Sequence, residues 1–242
     1  MAEAAPRSLF VAFSNVAVGV EEERFQHWYE TIHRPESFEA GLFHASARYR
    51  ARSPSRAHFL TLWEADYASE EEALARVRPA AQKMREQGHI WPVVQLLFQH
   101  FIFRVRSDPG FALADLPTLS TLQNDWRRPL AGQGPEAWWK HTVETALRAK
   151  GPAGKSALYA SECADGDRPG RMLAVLAGAL PAGGAAGGLR LELPPFGEAT
   201  PVYADASATA PPAPELSAER WEGKAQSVFG VHWERISHAS LR

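Results

Sequence analysis

The sequence predicts an α+β fold in which two βαββαβ units close their sheets against each other as a barrel. Three observations predict it. Between residues 9 and 105 the hydrophobic pattern alternates between strand and helix periods in the order strand, helix, strand, strand, helix, strand. Landmarks of that stretch return about 110 residues further on. A sheet with both helices on one side also leaves an apolar face that a second sheet can bury.

The elements follow in order. Residues 9–15 are a short apolar, β-favouring run, read as the first strand and ending at Asn15. From Glu21 to His33, Phe25, Trp28, Tyr29 and Ile32 recur at spacings of three and four behind an acidic first turn, the stripe of a helix that Pro35 is expected to stop. Phe43, Ala45, Ala47 and Tyr49 then alternate with His44, Ser46, Arg48 and Arg50, giving strand two. A Ser-Pro-Ser turn leads to strand three at His58–Glu64, hairpin fashion. Ser69 and Glu72 form a capping box for a helix that runs past Pro79, where a kink is expected, to Gly88. Pro92–Val105 is a long aromatic strand. This is the ferredoxin-like order.

The second half repeats these landmarks. Trp28-Tyr29 and Trp138-Trp139 each precede a strand tyrosine, Tyr49 or Tyr159, by 21 residues, and the two asparagines, Asn15 and Asn124, each end a strand before a helix. This pattern reads as a diverged tandem repeat, with Arg171–Leu180 and Ser227–Ser237 as later strands of the second copy. The division is residues 1–107, then 108–242 with a Gly/Pro-rich insertion at about 181–215, expected to be flexible or a lid. Whether the barrel closes within one chain or between the chains of a homodimer is left open by the sequence.

Composition narrows the function. A chain of 242 residues, 45% hydrophobic and of net charge −2, has ample core and no basic excess for nucleic acid, so a small-molecule partner is expected. The one cysteine, Cys163, leaves no intrachain disulfide or Cys-cluster metal site and suits the cytoplasm. No apolar stretch is long enough for a membrane span. Gly151-Pro152-Ala153-Gly154-Lys155-Ser156 lacks the first glycine of a phosphate loop and runs from helix to strand, the wrong order. Nine histidines include no His-Glu-x-x-His, so no metal is expected.

The constellation that can carry chemistry is on the first helix. Tyr29 and His33, four residues apart, share one face, and a last-turn position before Pro35 is expected to raise the His33 pKa and favour proton donation. Packing of the helix against the sheet is the bland alternative. Asn15 at the strand mouth is the third catalytic candidate, to hold a substrate oxygen. Trp28, His44, Arg48, Trp63 and His100 are candidates to line the pocket. His44, Arg48 and Arg50 share one face of strand two, while Arg50 and Arg52 read as solvated rim. Which face looks into the barrel is open.

Asn15, Phe25, Trp28-Tyr29, His33, Pro35-Glu36 and Gly41 leading into the Ala45–Tyr49 strand resemble the EthD-type group of the dimeric α+β-barrel superfamily, over residues 8–105. The resemblance implies a ferredoxin-like fold, paired sheets and cofactor-free chemistry on hydrophobic cyclic or aromatic molecules: isomerisation, dehydration, decarboxylation or cyclisation. At the same offset in the second copy Val143 replaces His33 and Trp139 replaces Tyr29, which places the chemistry in the first half. Two alternatives stand beside it. Chlorite-dismutase-like proteins are also built of two such repeats and bind haem through a histidine of the second, for which His141, His232 and His238 are the nominal candidates. The other is a non-catalytic small-molecule-binding module.

Overall fold

The computed structural model describes residues 6–52, 57–89, 93–126, 136, 139–140, 144, 155–161, 170–178, 189–193, 199–200 and 226–241. Its first strand, β1 (Ser8–Val16), leads into a continuous helical stretch: α1 (Glu22–Trp28), a π-helical segment (Tyr29–His33) and α2 (Arg34–Glu39). Strands β2 (Ala45–Ala51) and β3 (Phe59–Ala65), helix α3 (Glu70–Glu86) and strand β4 (Val94–Ser107) complete the first unit. Beyond it come β5 (Thr118–Trp126), β6 (Ser156–Ala160), β7 (Gly170–Ala177), β8 (Leu189–Leu193), β9 (Ala199–Thr200) and β10 (Gln226–Ser240).

All described strand pairings are antiparallel, and the order is β8-β10-β2-β3-β1-β4-β6-β7-β5-β9. A further pairing of β10 with β5 closes the sheet into an eight-stranded barrel. In the first half the order is β4-β1-β3-β2, and β10-β5-β7-β6 reproduces it in the second. The question the sequence left open is answered: one chain closes its own barrel. Each of the eight strands sends side chains into a single interior cluster, including Leu9, Tyr49, Leu62, Ile102, Leu119, Tyr159, Val175 and Trp233. A second cluster fills the layer between the helices and the outer face of the first unit, with Phe25, Trp28, Tyr29 and Met84 packed on Phe59, Trp63 and Phe101.

One expectation needs correction. Pro35 does not end the helix, which continues to Glu39 and stops before Gly41 at φ +64°. The π segment gives the reason: Arg34 N–H donates to the Tyr29 carbonyl five residues back, and this wider turn takes up the bond and space that proline denies an α-helix. Pro35 thereby sits in the first turn of a new α segment, where its missing N–H is tolerated. Within the 181–215 span the described residues form β8, which pairs with β10, and β9, which pairs with β5. The helix expected around Trp138-Trp139 lies largely outside the described residues, as does most of the insertion.

The forward arm of the capping box forms, Glu72 N–H donating to Ser69 Oγ at 3.2 Å, while the return bond falls one residue before the cap, Glu72 Oε2 accepting from Ala68 N–H at 2.7 Å. Helix α3 runs through Pro79 to Glu86. Among the described residues no helix is long and apolar enough to cross a membrane.

Candidate functional site

The outer face of β2 and β3 meets the π segment in an aromatic layer that holds the two central candidates. Alternation along β2 sends Ala47 and Tyr49 into the barrel and Arg48 to the helices, and on β3 it sends Leu60 and Leu62 inward and Phe59, Thr61 and Trp63 outward. The His33 ring stacks on Trp28 at 4.8 Å between centroids and meets the edges of Tyr29 at 5.2 Å and Trp63 at 5.8 Å. Trp28 is itself fixed, its Nε1–H donating to the His89 carbonyl at 3.0 Å.

Arg48 is the polar centre of this layer and is 1% exposed. Its guanidinium carbon lies 3.8 Å from the centre of the Tyr29 ring. Nη1 donates to Gln26 Oε1 at 2.7 Å and to Glu30 Oε1 at 3.0 Å. Glu30 also pairs with Arg34 and accepts from Ser237 Oγ on β10 at 2.8 Å, and Arg34 Nη1 donates to the same Ser237 oxygen at 3.1 Å. The last strand of the chain thus buttresses the first helix.

The charge states follow from this packing. Desolvation, and then the neighbouring Arg48 cation, lower the His33 pKa to about 4. The expectation of a raised pKa is overturned: the helix does not end at His33, so no C-terminal dipole acts there, and burial against aromatic rings disfavours the imidazolium. Although part of the residue keeps accessible surface, His33 Nδ1 is buried without a hydrogen-bond partner. Burial raises the Tyr29 phenol to about 12, partly opposed by Arg48 and by hydrogen bonds with Thr61 and Trp63. At neutral pH the site therefore holds a neutral imidazole, a protonated phenol and a guanidinium.

Of the other candidates, Trp28, Arg48 and Trp63 join this layer and three do not. Asn15 is at the far end of β1, where its Oδ1 accepts from His58 N–H at 2.7 Å. His100 pairs in register with Val11, whose side chain is inside the barrel, so it shares the interior face rather than the helix layer. His44 precedes β2 and parts company with Arg48: its ring nitrogens lie 3.8 Å from Glu64 and from Asp66 at the barrel mouth. There Glu64, His238, Leu113 and Leu241 line a cavity of about 280 Å³. Arg50 and Arg52 are rim residues, as expected, paired with Glu22 and Glu234.

No protein-family model and no curated protein matches the chain. Solved structures are similar to it, among them the following two. One, described as a candidate chlorite dismutase, has a TM-score of 0.40 and 13% identity, with 71% of this chain and 79% of that one covered. The other, a candidate monooxygenase from Lactobacillus acidophilus, has a TM-score of 0.36 and 10% identity over 98% and 97% of the two chains. Likenesses so distant carry no activity across, and the barrel stands on its own strand pairings.

Sequence reasoning missed Glu30, Gln26, Arg34 and Ser237. The Glu30–Arg34 spacing of four is a legible helix ion pair, whereas Ser237, 207 residues from Glu30, gives no local signal. Of the histidines nominated for haem, His141 and the side chain of His232 lie outside the described residues. His238 lines the barrel-mouth cavity of about 280 Å³.

Proposed function

We propose that the chain is a cofactor-independent lyase or isomerase acting by proton transfer on a hydrophobic cyclic or aromatic small molecule, with its site in the helix–sheet layer of the first half. One observation carries this reading: a neutral imidazole with a buried, unpartnered Nδ1 touches a protonated phenol beside a buried guanidinium. His33 in that state is a base. It takes a proton from carbon next to a substrate carbonyl while Tyr29 O–H donates to the oxygen on which charge develops, and His33 then returns the proton to the product or leaving group. The aromatic walls of Trp28 and Trp63 supply the apolar contact such a substrate needs. The EthD-type resemblance of residues 8–105 agrees with this class of chemistry. Asn15 is given no part, since its carboxamide serves the β2–β3 connection.

The test is a screen of cyclic and aromatic carbonyl compounds with wild type, His33→Gln and Tyr29→Phe. Loss of general base catalysis is expected to lower kcat by about 10²–10⁴-fold in His33→Gln. Equal turnover in all three proteins sinks the proposal. An absorption spectrum of the purified protein adds an independent check, because a Soret band is incompatible with the cofactor-free reading.

A further inference from the structure

We infer that the molecule bound in this layer is an anion, a carboxylate or a comparable delocalised oxyanion, and that Arg48 grips it in bidentate fashion. The inference rests on the proposed site and names its substrate class. Arg48 is buried to 1% exposure, and its one satisfied nitrogen is Nη1, shared by Gln26 and Glu30. Nε and Nη2 are buried and have no partner. These two nitrogens form the side edge of the guanidinium, whose parallel N–H groups match the two oxygens of a carboxylate. Leaving buried donors of a charged group unsatisfied is costly, and the two oxygens of a carboxylate satisfy both donors of this edge at once.

Charge and neighbouring donors agree with that reading. Glu30 is the one carboxylate that pairs with both Arg34 and Arg48 among the described residues, so the cluster retains one positive charge. Glu36, on the next helical segment, is engaged with His89 instead. Ser46, two residues before Arg48 on the same face of β2, has a fully buried hydroxyl that also lacks a partner. Gln26, Glu30 and, through Glu30, Ser237 hold the guanidinium from the Nη1 side, which leaves the fork free to receive the anion without turning away. An anion seated there lies near Tyr29, the ring that contacts both Arg48 and His33.

The probe is benzoate, with benzamide as its neutral isostere, titrated against the full chain by calorimetry and by intrinsic tryptophan fluorescence. Benzoate is expected to bind at least about tenfold more tightly than benzamide, as hydrogen bonds to a charged group require. Arg48→Lys, which keeps the charge and removes the fork, is expected to erase that preference, and Ser46→Ala to weaken benzoate by a smaller factor. If Arg48→Lys does not fold by circular dichroism, the benzoate-to-benzamide ratio in wild type and in Ser46→Ala decides. Equal binding of the two probes, no binding of benzoate, or an undiminished preference in folded Arg48→Lys overturns the inference. Binding is read without turnover, so the two proposals fail separately. Arg48-dependent benzoate binding with no His33-dependent turnover keeps the anion site and removes the catalysis; the converse keeps the catalysis and removes the anion site.

Discussion

An imidazole enclosed by Trp28, Tyr29 and Trp63 and facing a guanidinium costs less neutral than charged, and this ties the acid stability of the protein to His33. Its folded pKa of about 4 is below the usual histidine value of about 6.5. Between those pH values the unfolded chain holds a proton that the folded chain lacks, so acidification favours unfolding. His33 therefore adds nothing to the pH dependence above about 6.5 and lowers stability by at most about 1.4 kcal/mol per pH unit as pH falls towards 4. Urea unfolding of wild type and His33→Gln at pH 7 and pH 4.5 checks this: the fall in stability should be smaller in the variant, and equal falls refute it. At this scale the sequence showed that Tyr29 and His33 meet, because four-residue spacing on a helix is short-range geometry. It did not show the proton's preference, which depends first on burial under the aromatic rings and then on a strand residue, Arg48, and both are set only when the sheet is assembled.

The helix that carries these residues owes its shape to a conflict between periodicity and Pro35. The stripe of Phe25, Trp28 and Tyr29 was legible because apolar packing on a sheet needs that spacing. The continuation to Glu39 was not, since the rule that proline stops a helix assumes an α-helical turn before it, and here the turn is π-helical. That wider turn sets Tyr29, His33 and Arg34 at their present angles over β2. Deleting Thr31, an exposed residue whose hydroxyl donates back to the His27 carbonyl, should tighten the segment to α-helical form and bring Tyr29 and His33 from four residues apart to three, which turns their rings away from each other. The expected result is a folded protein of lower Tm in which the His33 ring proton, followed by NMR, titrates closer to the ordinary histidine pKa. An unchanged titration near 4 shows that the π turn does not position the ring.

On the scale of the whole molecule, closure depends on β10, whose two edges pair with β2 and β5. The repeat landmarks pointed to two sheets with the same strand order, and Tyr49 and Tyr159 do occupy equivalent strands inside one barrel. That one chain supplies both sheets was not legible, because a second copy of the first unit presents the same apolar face as the second unit does. Trp233 fills the closing seam: it is fully buried, and its Nε1–H donates to Thr121 Oγ1 at 2.9 Å. Because all eight strands share that interior, the two halves should unfold together rather than one after the other. Trp233→Ala removes a large core side chain and leaves the Thr121 hydroxyl without its donor, a loss of about 3–5 kcal/mol. In urea, its fluorescence and circular-dichroism transitions should move to lower concentration together, with the slope of wild type. Two separated transitions, one insensitive to the substitution, contradict a shared core and give each half a stability of its own.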